Sequence, residues 1–209
     1  MRNIFARFLL TAALLIFFAT VATAEAVPWQ IDPAHSAAQF AVRHMMVSTV
    51  RGAFSKVSGV VNYDEKNPAN SSVEVTVDVS SVDTRVPQRD ADLRSERFFD
   101  VAKYPTMTFR SKRITPSGDG RFKMTGDLTI HGVTREVTFD VEGPTPAVKD
   151  PQGHLRRGAS ATTKINRKEF GITYNAVLEG GGLIVGDEVA ISIDVELVRP
   201  AAPAPGSNN

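Results

Sequence analysis

The sequence predicts an all-β fold, an antiparallel barrel of about eight strands with a short helical excursion near one opening. Three observations carry this. Apolar and polar residues alternate with period two through most of the chain, as half-buried strands require. Short turns rich in Gly, Pro, Asn and Asp separate these segments, so successive strands pair antiparallel. One stretch, residues 82–109 (VDTRVPQRDADLRSERFFDVAKYPTMTF), interrupts the alternation and is densely charged.

The chain opens MRNIFARFLLTAALLIFFATVATAEA. Arg2 and Arg7 form a basic start, residues 8–18 an apolar run, and Ala22-Thr23-Ala24 an A-x-A cleavage site. This is the layout of a Sec-type signal peptide covering residues 1–24, with cleavage after Ala24. The run is shorter than the ~20 residues that cross a bilayer, so no integral membrane span is expected in the mature chain. The address is periplasmic or secreted.

Residues 25–199 form the expected barrel domain. Trp29-Gln30-Ile31-Asp32 begins it and Pro33 breaks it. Residues 36–44 alternate, with Ala38, Phe40, Val42 and His44 on one face. Residues 50–63 read as the next strand, with Gly52 and Gly59 allowing a bulge or bend. Val73, Val75, Val77 and Val79 alternate with Glu74, Thr76, Asp78 and Ser80, giving one wet face and one dry one. Within the excursion, Asp83-Thr84 offers a helix cap, Pro87 suits a first turn, and residues 88–97 read as a solvated helix. Tyr104-Pro105 then forces the backbone extended. The excursion reads as a lid over the barrel mouth or as an ordinary surface crossover, and the commonness of the latter favours it.

Beyond it, Met107 and Phe109 share a face, and Phe122, Met124, Leu128 and Ile130 supply the next. His131-Gly132 is a hairpin tip leading into Val137, Phe139 and Val141. Residues 143–153 are loop, and residues 159–165 form a strand poor in large side chains at Ala159, Ala161 and Thr163. Residues 166–171 are a polar turn. The last strand carries Val189, Ile191, Ile193, Val195 and Leu197 on one face. Residues 200–209, rich in Pro, Ala, Gly and Ser, are expected to be a disordered tail. A sandwich would also bury one face per strand. The long terminal strands and the single excursion, available to close one end, favour the barrel.

Composition excludes several function classes. The formal charge is +1 over 209 residues, and the leader takes two arginines with it. No basic stripe exists for nucleic acid. With 0 cysteines there is neither disulfide nor thiolate chemistry. His35, His44, His131 and His154 lie in four segments without H-x-H or H-E-x-x-H spacing, so no metal site is expected. No G-x-S-x-G elbow occurs, and Gly180-Gly181-Gly182 lacks a phosphate-cradle context. No catalytic residues and no cofactor are expected.

The apolar inventory says more. Phe40, Val42, Val75, Val77, Met107, Phe109, Phe122, Met124, Leu128, Phe139, Ile191 and Ile193 all fall on dry faces. They line a pocket for one long apolar ligand, or they form a solid core; both demand the same residues. Phe40, Phe109, Phe122 and Phe139 are expected to converge. His44 shares the parity of Phe40 and Val42 at a strand end, as a rim residue meeting a ligand headgroup or as a partly exposed structural histidine.

Four segments carry a family resemblance: WQIDPAHSAAQFAVRHMMVSTVRGAFSKVSGVV (29–61), VDTRVPQRDADLRSERFFDVAKYPTMTFRS (82–111), GDLTIHGVTREVTFDVE (126–142) and INRKEFGI (165–172). The chain resembles the YceI-like proteins, exported lipocalin-like barrels linked to binding of long polyisoprenoid chains. The resemblance implies an apolar interior, a helical segment near one opening and no cofactor. It does not extend to true lipocalins, because Val27-Pro28-Trp29 lacks their Gly-x-Trp pattern. The expected function is sequestering or carrying an isoprenoid-like lipid, a polyprenyl or quinone-type chain. Two rivals stay open: a stress or interaction module with a filled barrel, and an enzyme acting on a lipid headgroup at the rim. A homodimer is compatible with the sequence.

Overall fold

The computed structural model describes residues 26–179 and 181–200. The leader, and the tail apart from Pro200, lie outside the described residues.

The strands are β1 (Val27–Ile31), β2 (Ala37–His44), β3 (Ser48–Phe54), β4 (Val57–Tyr63), β5 (Ser72–Asp78), β6 (Val82–Asp83), β7 (Thr106–Pro116), β8 (Arg121–Ile130), β9 (Val133–Glu142), β10 (Val148–Lys149), β11 (Leu155–Asn166) and β12 (Val185–Arg199). The one α-helix among the described residues, α1, spans Pro87–Arg94. Several strands are halves of longer staves. β12 pairs with β1 through Gln30↔Val198 and with β2 from Ala37↔Asp194 onward, so β1 and β2 run on across a break at residues 32–36. β3 and β4 likewise follow β2 and β1, and β5 and β6 follow β4 and β3. Counted this way, eight staves close into an antiparallel barrel through the ladder running from Leu155↔Arg199 to Asn166↔Glu188. Closure pairs every long strand on both sides and removes the exposed edges that would template aggregation.

Side-chain parity fixes what the barrel encloses. Ala38, Val77, Met107, Phe109, Met124, Leu128 and Phe139 are buried on the inner face. Charged cross-strand pairs such as Arg110–Glu74 and Lys123–Asp140 cover the outer one. On β7 the inward set changes parity from Met107 and Phe109 to Ile114, because the register slips between Ser111 and Arg113. Such a bulge places two residues opposite one and bends the stave.

Several expectations need correction. The break in the stave over residues 50–63 falls at Ser55-Lys56, not at the glycines. The helix stops at Arg94, where Ser95 turns extended, instead of continuing to Arg97. Nor does Asp83 or Thr84 cap it. The N-cap is Val86 with no side-chain cap, and the bond runs the other way: Asp90 Oδ1 accepts from the Thr84 N–H (2.8 Å) and the Thr84 hydroxyl (2.6 Å). Asp90 is itself buried, so its ion–dipole bonds tie the first turn of α1 back to the strand that precedes it. The loop over residues 143–153 contributes β10 to the edge of β11.

Candidate functional site

The barrel encloses a cavity of ≈ 260 Å³, walled almost wholly by apolar side chains. All twelve positions read as its lining face it: Phe40, Val42, Val75, Val77, Met107, Phe109, Phe122, Met124, Leu128, Phe139, Ile191 and Ile193. An apolar cavity of about 150 Å³ takes up a benzene ring. By that measure this one accepts about ten carbons, two isoprene units.

Local sequence features keep the space open. β11 presents Ala159 and Ala161 to the lumen, opposite Val195 and Ile193 on β12, so one stave lacks the large side chains its neighbours carry. Two rings are also recessed into the wall. A Cβ at Gly52 would stand 2.5 Å from Phe40 Cζ, and one at Gly126 would stand 2.7 Å from Phe109 Cζ. Both are well inside the ~3.5–4.0 Å of ordinary contact, so only glycine lets these rings lie flat against the backbone.

The four phenylalanines do not meet at one point. Phe109 and Phe139 touch edge to face at 5.1 Å. Phe40 instead neighbours Phe54 at 5.8 Å, which neighbours Phe99 at 5.6 Å. Phe122 lines the wall elsewhere, opposite Val141 and Pro116. Staves tilt around a barrel, so equal parity sets a face without setting a height.

The excursion is both crossover and cover. Leu93 of α1 and Phe98-Phe99 beyond it line the cavity at one end. Arg94 fastens the segment through Nε to Ser80 O (2.9 Å) and Nη2 to Val82 O (2.7 Å). Phe98 packs on Tyr174 at 5.2 Å, and Arg97 lies 4.1 Å above the same ring. At the opposite end Trp29, only 2% exposed, sits between Arg157 (5.1 Å) and Arg199 (4.8 Å). Tyr63 and the turn Pro68–Asn70 complete that floor.

Sequence reasoning missed Arg167, a buried guanidinium at the cavity wall inside what reads as a polar turn. Its five N–H groups go to Gly186 O, Ile172 O, Tyr174 O, Val185 O and Asp187 Oδ1. Burial pushes its pKa down, while the Asp187 carboxylate favours the charged form. With every donor engaged, Arg167 staples the 3-10 turn Arg167–Phe170 to the start of β12 and offers nothing to a ligand. No local pattern marks a residue whose partners are backbone carbonyls from two other segments.

His44 ends β2 half-buried, paired with Val185 and Ser48, and does not line the cavity. Among the described residues, Asp32, His35 and Glu196 come close enough together to suggest metal ligands. Arg156 already sits among them: Nη1 donates to Asp32 (2.8 Å) and to Glu196, and Nε donates to Asp150 (2.7 Å). The guanidinium supplies the positive charge this cluster needs. Bonds from His35 and Arg156 hold the Asp32 carboxyl down at about 2.

A family profile described as a YceI-like domain matches residues 29–197. A UPF0312 protein of Vibrio parahaemolyticus is 39% identical over 166 residues, 78% of this chain and 87% of that protein. One from Staphylococcus aureus is 35% identical over 165 residues, 79% and 94% of the two chains. Among solved structures, Burkholderia cenocepacia BcnA matches with a TM-score of 0.68 at 28% identity, covering 81% of this chain and 99% of that one. The Campylobacter jejuni YCEI protein matches at 0.63 and 31%, covering 76% and 90%. A polyisoprenoid binding domain from Saccharophagus degradans, implicated in plant cell wall breakdown, matches at 0.59 over 82% and 98% of the two chains. At 15% identity that last likeness concerns the fold alone.

Proposed function

This chain belongs to the YceI-like family, and on that premise we propose that it is an exported binding protein that sequesters or carries an isoprenoid-like lipid by its tail. The observation that carries the reading is the enclosed apolar cavity of ≈ 260 Å³. Each buried CH₂-sized group contributes about 0.8 kcal/mol, so a ten-carbon segment contributes about 8 kcal/mol before ordering costs. Before those costs, that magnitude corresponds to a dissociation constant near 1 μM, without any polar contact.

The wall also dictates what is read. Arg167, the one charged side chain in the lining, has no donor free. Selection inside the barrel therefore rests on length and girth, and the headgroup stays at the rim, where His44 stands. The reading is one of binding, not of turnover. The A-x-A leader supports export to the periplasm or beyond, where such a tail cannot cross water unaided.

Native mass spectrometry and organic extraction of protein taken from its own periplasm test this. A stoichiometric lipid with prenyl mass spacing is the expected result. Empty protein that also refuses a prenyl alcohol presented in detergent overturns it, in favour of a barrel serving as an interaction module.

A further inference from the structure

The described residues expose six large apolar side chains, and four gather on two adjoining loops at one end of the barrel: Met45, Met46, Val47 and Val177; a fifth, Val86, caps α1 at the same end. Met45–Val47 form the β2–β3 hairpin tip, where Met46 is 65% and Val47 82% exposed. Val177, 76% exposed, belongs to the segment beside it. The Met45 N–H donates to Ile184 O (2.7 Å), and the Ile184 N–H donates to Ala176 O (3.0 Å), so one row of bonds joins the two loops.

The backbone of this tip is unusual for its residues. Met45 and Met46 both hold positive φ, 51° and 60°. A turn whose two central residues both hold positive φ ordinarily takes Asn-Gly or Asp-Gly there, which are polar and tolerate the left-handed region. Here it carries two long apolar chains that the fold leaves 41% and 65% exposed. Arg43 braces the arrangement through Nη2 to Met46 O (2.7 Å) and Nη1 to Thr49 Oγ1 (3.1 Å). The tip also adjoins the cavity. Val42 and Val185 line the lumen, and Val185 pairs with His44, the residue before Met45.

We propose that this tip is a membrane-docking element, inserting Met45, Met46, Val47 and Val177 into a bilayer surface so that lipid passes between bilayer and lumen. The inference rests on the lipid-binding reading above. A bilayer suits the tip better than a protein partner does. Four side chains on two loop ends fall far short of the ~800 Å² per partner of a stable interface. A bilayer accepts a small wedge, because each apolar chain partitions on its own area. The residues of the tip from Arg43 to Arg51 include no acidic side chain to be repelled by anionic lipid.

The test is flotation of purified protein with vesicles of phosphatidylethanolamine and phosphatidylglycerol. Met46→Asp/Val47→Asp should weaken partition by more than about tenfold. Met45→Asn/Met46→Gly should also weaken it about tenfold while raising the melting temperature, since it supplies the residues the turn prefers. That second variant separates a docking defect from a folding defect. Val148→Asp, at an exposed apolar position on edge strand β10, should partition as the parent does. Failure of the parent to float, or tip variants that float equally well, overturns the proposal. So does a dimer that the tip variants dissolve with partition unchanged. Uptake of a prenyl alcohol from detergent keeps the two readings apart: a parent that floats but takes up none leaves docking standing and removes the lipid carrier. One that takes it up without floating does the reverse.

Discussion

Ala161→Leu tests the lumen with a change of sign rather than of size. Ala161 faces the cavity on β11, opposite Ile193 and Val141. Leucine adds three carbons, each about the ~30 Å³ share of a water molecule, so about 90 Å³ is taken up. That is about a third of the ≈ 260 Å³ available. If the space is real, the added carbons gain about 2.4 kcal/mol by leaving water, less about 0.5–1 kcal/mol of rotamer freedom. The ligand-free variant should then be about 1–2 kcal/mol more stable than the parent. A bound tail would lose the same three carbons' worth of room, and about 2.4 kcal/mol corresponds to about 50-fold weaker binding. Urea unfolding of ligand-free protein measures the first quantity, and titration with a fluorescent prenyl analogue measures the second. A packed core predicts the opposite stability change, a loss of about 1–3 kcal/mol from overpacking. That loss, with prenyl affinity unchanged, would refute the cavity.

Other expectations follow from single contacts. Asp90→Ala leaves the buried Thr84 N–H without its acceptor and should cost about 1–3 kcal/mol in denaturant unfolding. Hydrogen exchange should show faster opening over residues 84–105 than over β8 and β9. Asp32, held from 3.8 to about 2 by bonds from His35 and Arg156, stabilises the fold above its unfolded pKa. That stabilisation is lost as the pH falls from about 4 toward about 2, so Asp32→Asn should flatten the melting-temperature profile over that window. N-terminal sequencing of the exported protein should read Glu25 first; retention of Met1 would remove the cleaved leader.

The stave pattern was legible because burial on one face imposes period two on the sequence, and a closed barrel imposes it on nearly every strand. For that reason the inward-facing parity of these strands could be read without a structure, though not whether the residues line a pocket or fill a core. What parity omits is height along the barrel, and so Phe40 was grouped with Phe109 although it packs against Phe54. The slip at Ser111 to Arg113 was hidden for a related reason: an extra residue in one strand is visible only against its partner. Arg167 and Asp90 escaped because charged residues in polar stretches read as solvated. Their burial depends on donors and acceptors that only the folded loops bring to them, from Thr84 for Asp90 and from residues 172–187 for Arg167. The tip escaped for the opposite reason. Met45-Met46-Val47 lacks turn residues, and its exposure follows only from a hairpin that forms against sequence preference.

A lumen walled almost wholly by apolar side chains reads a ligand's tail and not its headgroup. Two lipids with the same tail bury the same area in this lumen and differ there by nothing. A methylene more or less changes affinity by about 0.8 kcal/mol, about fourfold, so length is read weakly and girth more sharply. Girth is set by the alanines of β11 and by the glycines under Phe40 and Phe109, each of which one substitution would alter. Discrimination among headgroups must then arise outside the lumen, at His44, at the excursion roof of Leu93, Phe98 and Phe99, or in the choice of surface from which lipid is drawn. Roof and tip flank the same end of the barrel, while the opposite end is packed by Trp29 between two guanidiniums. The floor sets a buried ring against two cations, whereas the roof is held by Arg94 and Asp90 and by the ring contacts of Phe98 with Tyr174 and Phe99 with Phe54. Of the two ends, the roof is the one that adjoins the apolar tip.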